Sequence, residues 1–398
     1  MRLKHKTYFW EQRKLGEVGY CQSGIGFPER EQGRKKGIPF YKVSDMTLIG
    51  NELIMVTSNN YVSEEQILKN RWKVINSIPA IIFAKVGAAL LLDRKRLVLN
   101  SFLIDNNTMA YILNEKWDYY FCKTLFDTIY LPQLSQVGAL PSFNGKDVEN
   151  LNVIIPKSKE EQTAIGNFFK QLDETIALHR RNCIKFQNLK TAYLENIFSA
   201  KYIQNKDKNK NAWEQRKLGE ISDKVIDKNI KVMYSETFTN SAEFGVISQR
   251  DFFDKDISNS DNLSNYYVVQ NNDFIYNPRI SNFAPVGPIR RNKLGRTGVM
   301  SPLYYVFRVR NVQYEFLDAF FETDKWHSFM KLYGDMGARS DRISIKDSIF
   351  AGMPLMLPSL EEQTAIGNFF KQLDDTIALH QRFWMNNNQL GREYAELF

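Results

Sequence analysis

The scarce residues narrow this chain first. Only three of its 398 residues are cysteine, Cys21, Cys122 and Cys183, odd in number and without a CxxC or zinc-type spacing. That argues against a disulfide framework and a cysteine-held metal, and the thiols read as reduced, buried groups of a cytoplasmic protein. Histidine is also scarce, with four residues, His5, His179, His327 and His380, and no HExxH among them. Glycine-rich phosphate loops are missing too. No GxxxxGK[ST] occurs, Gly138 to Lys146 has the wrong spacing, and Gly24-Ile25-Gly26 lacks the third glycine of a dinucleotide turn. Asn277-Pro278-Arg279 begins like the NPP[FY] motif of amino-methyltransferases but lacks the second proline and the aromatic residue. The longest apolar run, Ile78 to Leu92, is broken by Lys85 and too short to cross a bilayer, and MRLKHKTYFW has no apolar core for export. The expectation is a chain without catalytic residues, bound cofactor, metal or membrane span.

What is present is positive charge and aromatic surface. Lys and Arg number 53 against 45 acidic residues, a net +8, and aromatics make up 13%, a balance that suits a polyanionic partner. The length leaves room for two or three domains, each with its own core.

The chain also repeats itself. EEQTAIGNFFKQLDETIALH, Glu160 to His179, returns 201 residues later as Glu361 to His380, with Asp375 in place of Glu174 as the one difference. WEQRKLGE, Trp10 to Glu17, returns as Trp213 to Glu220. Intervals this long mark a tandem duplication of a large module rather than a solenoid. Ser158 and Ser359 stand where a hydroxyl caps a helix, with the paired glutamates at the positive end of its dipole. Ile165, Phe169, Leu172 and Ile176, and in the second copy Ile366, Phe370, Leu373 and Ile377, recur four and three apart, the spacing of a coiled-coil seam. Carried on through Cys183, Phe186 and Tyr193 to Ile197, the first helix would run about 50 Å, so the natural partner of each copy is the other. His179 and His380 hold equivalent seam positions and read as polar register residues, since the seam supplies no further metal ligands. Asn387 and Gly391 at seam positions predict looser final turns.

Each module reads as mixed α and β. In the first, Ile78 to Lys85 and Ala88 to Leu92 are strand-like, Asn114 caps a helix with Trp117, Phe121, Leu125 and Ile129 on one face, and a strand ends at Pro156. In the second, Asp273 to Tyr276 and Tyr304 to Val309 are strand-like, Tyr314 to Leu332 is a helix, and Pro354 to Pro358 closes the module. Gly138-Ala139 and Gly337-Ala338 open equivalent polar loops. The polar stretch Lys201 to Asn211 reads as a linker. The resulting domains are 1–157, helix 158–200, linker 201–212, second domain 213–358 and second helix 359–398. If the halves are related by a two-fold axis, the two termini lie close together.

Candidate contacts to a polyanion are the basic and polar residues on strand ends and loops. In the first module these are Lys85, Arg94, Lys95, Arg96, Ser142, Asn144 and Lys146. In the second they are Asn277, Arg279, Arg290, Arg291, Lys293, Arg296, Arg339, Ser340 and Arg342. Arginine beside small hydrogen-bonding side chains is the kind of mixture that reads base edges. Different residues on equivalent loops suggest two different half-sites.

With WEQRKLGE before each half, EEQTAIGNFFKQLDETIALH and its copy behind each, and Asp273-Phe274-Ile275-Tyr276-Asn277-Pro278 and Gly298-Val299-Met300-Ser301-Pro302 within, the chain resembles the specificity subunit of type I restriction–modification systems. The resemblance implies an α+β fold of two tandem target-recognition domains joined by two long antiparallel helices with pseudo-two-fold symmetry. Each domain would read one half of a bipartite, asymmetric site on double-stranded DNA. It further implies two methyltransferase subunits using S-adenosylmethionine, and restriction subunits driven by ATP and Mg, with no catalysis by this chain. The competing readings are a non-catalytic scaffold that holds two protein-binding modules apart, and a self-sufficient DNA-modifying enzyme, which the missing cofactor loops disfavour.

Overall fold

The computed structural model describes residues 10–135, 141–207, 213–253, 260–335 and 341–395. They form two compact units, one running to Ile184 and taking in the residues from Ala378 onward, the other covering Lys185–Ile377.

The first unit is built on a four-stranded antiparallel sheet in the order Gly19–Ser23, Thr108–Leu113, Ala80–Ala84, Lys95–Val98. The central AIIFA strand is wholly buried because both its faces are covered. Ile81 and Phe83 point to a core shared with Phe121 and Phe126 of the helix Tyr119–Thr128, whereas Ala80 and Ile82 point to a second cluster with Phe102 and Ile104. A three-stranded sheet, Tyr61–Val62, Ile38–Tyr41 and Leu103–Ile104, lies beyond it in the topology.

The second unit keeps the same plan. Ser222–Lys224, Tyr305–Val309, Phe274–Tyr276 and Ile289–Arg291 pair in the corresponding order. Phe274 and Tyr276 face a core containing Phe316 and Phe320 of the helix Tyr314–Glu322, and Ile275 faces the opposite cluster.

The two sequence repeats are the parts that close each module. In WEQRKLGE the strand Trp10–Lys14 pairs antiparallel with Asn152–Pro156, and Glu214–Lys217 pairs with Pro354–Leu357. The following leucine ends the strand identically in both: Leu15 N–H donates to Leu151 O (3.0 Å) and Leu218 N–H to Met353 O (2.9 Å), each side chain fully buried.

The long helices Lys159–Ile197 and Leu360–Ala395 start as the capping pattern predicts, Ser158 Oγ accepting from Glu161 N (3.3 Å) and Ser359 Oγ from Glu362 N (3.2 Å). The glutamine of EEQ then fastens each helix to its module. Gln162 accepts from Asp118 N (2.9 Å) and donates to Pro156 O (3.0 Å). Gln363 likewise accepts from Gln313 N (3.1 Å) and donates to Pro358 O (2.8 Å). Both amides are buried, and pairing at both ends removes the cost of burying them. One turn on, a glycine lets the module helix approach: a Cβ on Gly166 would stand 2.6 Å from Asp118 Oδ1 and Phe121 N, and one on Gly367 2.9 Å from Phe316 N.

The helices also meet each other. In the first unit His179 Nδ1 lies 2.8 Å from His380 Nδ1, and the His179 ring stacks on Phe383. In the second unit Lys190 reaches Asp374 (2.5 Å) while Tyr193 packs edge-on against Phe369, so rising numbers on one helix meet falling numbers on the other, an antiparallel pairing. The seam serves two partners rather than one. Ile366 and Phe370 belong to the core of the second unit and Ile165 packs on that of the first. Phe169, Leu373 and Ile377 are buried, and Leu172 and Ile176 half-buried. The first turns lie against the module's own helix, where the glycine contact brings them.

Several local expectations are corrected. Ala88 to Leu92 is not a strand: Gly87, at φ +76°, turns the chain into the short 3-10 turn Leu90–Leu92, and the paired strand is Lys95–Val98. The cap of the first module helix is Asp118, whose carboxylate accepts from Tyr120 N and Phe121 N, while Asn114 bonds Lys116 N in the preceding turn. The helix expected over Tyr314 to Leu332 is two, Tyr314–Glu322 and His327–Tyr333, because Thr323 turns extended and its hydroxyl bonds back to Phe320 O (2.7 Å). The stretch read as a linker begins as a helix, Ala200–Asp207, whose Tyr202 and Ile203 pack on the core of the second unit. The expected proximity of the termini lies outside the described residues.

Alanine normally improves a helix by about 1 kcal/mol over glycine. Gly166→Ala and Gly367→Ala are expected to do the reverse, lowering stability in a urea titration by about 1–3 kcal/mol, because backbone and capping atoms stand where the new Cβ must go. An unchanged or raised midpoint would show that this close approach does not hold the helix in place.

Candidate nucleic-acid interface

At the end of each central strand the chain meets the segment that follows the module helix, and the two units build this junction with the same hydrogen bonds. In the first, Phe143 N–H donates to Lys85 O (3.2 Å) and Gly87 N–H to Pro141 O (2.9 Å), which sets Val86 opposite Ser142. In the second, Ile343 N–H donates to Pro278 O (2.9 Å) and Ile280 N–H to Asp341 O (2.9 Å), which sets Arg279 opposite Arg342. Both are non-hydrogen-bonded antiparallel pairs, the register in which facing side chains lie closest. Phe143 and Ile343 are buried, so alternation turns their neighbours Ser142 and Arg342 outward.

Around the first junction gather Lys85, whose ammonium donates to Ser23 Oγ (3.1 Å), Ser142, and the exposed Asn144 and Lys146. Asn144 has a structural duty as well. It caps the short helix Gly145–Glu149, its oxygen accepting from Lys146 N and Asp147 N, and Lys146 lies 3.1 Å from Glu149.

The second junction opens onto a cleft of about 580 Å³ lined by Asn240, Gln249, Asn277, Arg279, Tyr304 and Arg342 among others. An adjoining cleft of about 490 Å³ shares Pro278, Leu303, Tyr304 and Arg342. Phe283, 77% exposed, stands at the loop tip. Asn277 is a folding residue: its amide donates to Asn240 O (2.8 Å) and accepts from Arg279 N (3.0 Å). Arg279 and Arg342 are exposed. Arg342 comes no nearer than 3.9 Å to Asp341, and among the described residues no carboxylate pairs with Arg279. Like charges facing across a pair of strands disfavour the fold. A polyanion, or the acceptor edge of a base, relieves that repulsion.

Other candidates are committed to the fold. Lys95 is 2% exposed, donating to Asp93 (2.7 Å) and Ile129 O (2.6 Å), and burial pushes its pKa down. Arg96 donates to Lys95 O (2.8 Å), its pKa likewise lowered by burial. Arg94 is half-buried beside them. Arg291 lies opposite Phe274, at the far end of the strand from Asn277. Its guanidinium is held by Asp318 (2.7 Å), Glu315 (3.1 Å) and Asn272 (2.9 Å) over the Tyr314 ring. Lys293 pairs with the same Asp318 (2.9 Å), and Arg296 grips Glu236 with two bonds of 2.8 and 2.7 Å. Lys95 and Arg291 thus spend their donors within the fold, Arg96 bonds backbone carbonyls, and Lys293 and Arg296 hold ion pairs at the surface. Arg290 is half-buried in mid-strand, and Arg339 and Ser340 lie outside the described residues. Missed from the sequence were Val86, Gln249 and Tyr304, whose hydroxyl lies 3.0 Å from Thr239 Oγ1. Their only signal is a junction that joins segments about 60 residues apart in the chain.

The family model for the type I restriction modification DNA specificity domain matches residues 9–185 and again 210–383. The type I restriction enzyme MjaIX specificity subunit of Methanocaldococcus jannaschii is 24% identical over 192 residues, 47% of this chain and 43% of that protein. The match thus spans less than half the length of that curated relative. Among solved structures, the type I restriction-modification system S subunit from M. genitalium shares the fold, with a TM-score of 0.64, 13% identity, and 99% and 97% of the two chains covered.

Two expectations separate structural charges from available ones. Arg291→Ala, which strands Asp318 and Glu315, is expected to cost about 3–5 kcal/mol in denaturant unfolding, whereas Arg279→Ala should stay within about 0.5 kcal/mol of the parent; equal effects would contradict the division. On the first long helix, burial and the nearby Asp127 push Asp173 up to about 6, against the pull of Lys123 and Arg96. Above that pH its buried charge opposes folding. Between about 6 and 4 the folded chain holds a proton that the unfolded chain has lost, so stability rises as the pH falls. Asp173→Asn is expected to add about 1–2 kcal/mol at pH 7 and to flatten this slope in unfolding titrations at several pH values.

Proposed function

The chain belongs to the family of type I restriction modification DNA specificity domains, which it carries twice, and on that premise we propose that it is the sequence-specific DNA-recognition subunit of a type I restriction–modification complex. Each module reads one half of a bipartite target. The chain itself performs no catalysis: methyltransferase subunits, two per complex, bring S-adenosylmethionine, and restriction subunits bring ATP and Mg. All of them act in the cytoplasm.

The observation that carries the reading is the duplicated junction with unlike side chains, Arg279 against Arg342 in one unit and Val86 against Ser142 in the other. A shared scaffold with different outward residues is what two readers of different sequences require. Cations beside the junctions, such as the half-buried Lys85 and the exposed Lys146, supply sequence-independent affinity through phosphates, and the junction residues supply selection at base edges. The buried, ion-paired Lys95 and Arg291 position the sheets and take no part in either.

Affinity of the full chain for duplex DNA is expected to fall steeply and linearly on a log–log plot against salt, since phosphate contacts release counterions. A protein-binding scaffold would give a flat line. The purified chain incubated with DNA and labelled methyl donor should transfer no label. Transfer would make it an enzyme in its own right.

A further inference from the structure

Resting on the DNA-recognition reading, the geometry points to the two-residue junction as the place where the two half-sites are made different. We propose that Arg279 and Arg342 read guanine in one half-site, and that Val86 and Ser142, at the equivalent positions of the other module, do not.

Equivalence is set by the backbone, not by sequence alignment. Lys85 O and Pro278 O accept from the residue after the outward one, Phe143 and Ile343, and Pro141 O and Asp341 O accept from Gly87 and Ile280. The four outward side chains therefore occupy matched places on matched frames, while the inward neighbours Phe143 and Ile343 anchor them in the two cores. Chemistry then separates the modules. A guanidinium fork matches the O6 and N7 acceptors of guanine, and two forks side by side can serve two guanines or clamp one. Valine offers only an apolar contact, as to a thymine methyl, and serine bonds donors and acceptors alike. Arg279 and Arg342 suit reading because they are exposed at the mouth of a cleft and because, unlike Arg291 and Arg296 with their bonds of 2.7 Å, Arg342 has only a 3.9 Å contact to its exposed neighbour Asp341 and Arg279 pairs with no carboxylate among the described residues.

The test uses the full chain and a library of duplex DNA with randomised positions, sequenced after rounds of binding. Wild-type protein is expected to enrich a two-part motif with guanine in one part. Arg342→Lys retains the charge but not the fork, so it should keep the salt dependence of binding while losing about 10- to 100-fold of the preference for guanine at one position. Arg279→Lys should do the same at the same or a neighbouring position. The double variant Val86→Arg, Ser142→Arg should gain a guanine preference in the other part and leave the first part unchanged. An unaltered motif with uniformly weaker binding in Arg342→Lys would assign the arginine to phosphate and overturn the proposal. A gain of guanine at no position in the double variant would overturn the equivalence of the junctions. Failure of the wild-type chain to enrich any motif would instead count against the DNA-recognition reading on which this proposal stands.

Discussion

The fold depends on how each long helix is fastened to the module before it. Gln162 and Gln363 each bridge the start of the module helix and the end of the closing strand, and a glycine one turn later allows backbone contact. A helix of nearly forty residues in isolation is directed by nothing but its own stiffness. Fixed at its first turns by two buried hydrogen bonds and a close approach with no room for a Cβ, it takes its direction from the module. Buried amides satisfied at both ends give geometry as well as stability, because a small rotation would break one bond without making another.

That fastening explains why the repeated segments are those at the edges of each module. WEQRKLGE supplies the strand that pairs with the closing strand, and EEQTAIG supplies the cap, the bridging glutamine and the glycine. Both contact backbone, whose geometry is the same in both units, and so need the same side chains. The outward junction residues contact no backbone partner of that kind, and there Val86 and Ser142 stand where the second module has Arg279 and Arg342.

Positive charge has two uses in this chain. Lys95 and Arg291 are surrounded by carboxylates and carbonyls and are withdrawn from water, where loss of the partner would be costly. Arg279 and Arg342 remain at the surface, facing each other with only the 3.9 Å contact of Arg342 to Asp341 as a counter-charge among the described residues, a mildly unfavourable arrangement that an incoming polyanion relieves. Net charge and local composition do not distinguish the two uses.

By itself the sequence determined the duplication, the α+β character of the modules, and the capped long helices with their seam spacing, because periodicity and repetition are local properties of a string. The antiparallel contact was implied by the family resemblance, and the meeting of His179 with His380 came from the tertiary structure. It misplaced the strand after Gly87, the cap at Asp118 and the break at Thr323, where one turn-forming residue outweighed an apolar pattern. Only the tertiary structure decided which cations are available. Whether a guanidinium faces a ligand or an aspartate depends on residues such as Asp318 or Glu236, 27 and 60 positions away from Arg291 and Arg296. Such pairings arise when strands and helices distant in the chain are packed together, and side-chain chemistry read along the chain carries no record of them.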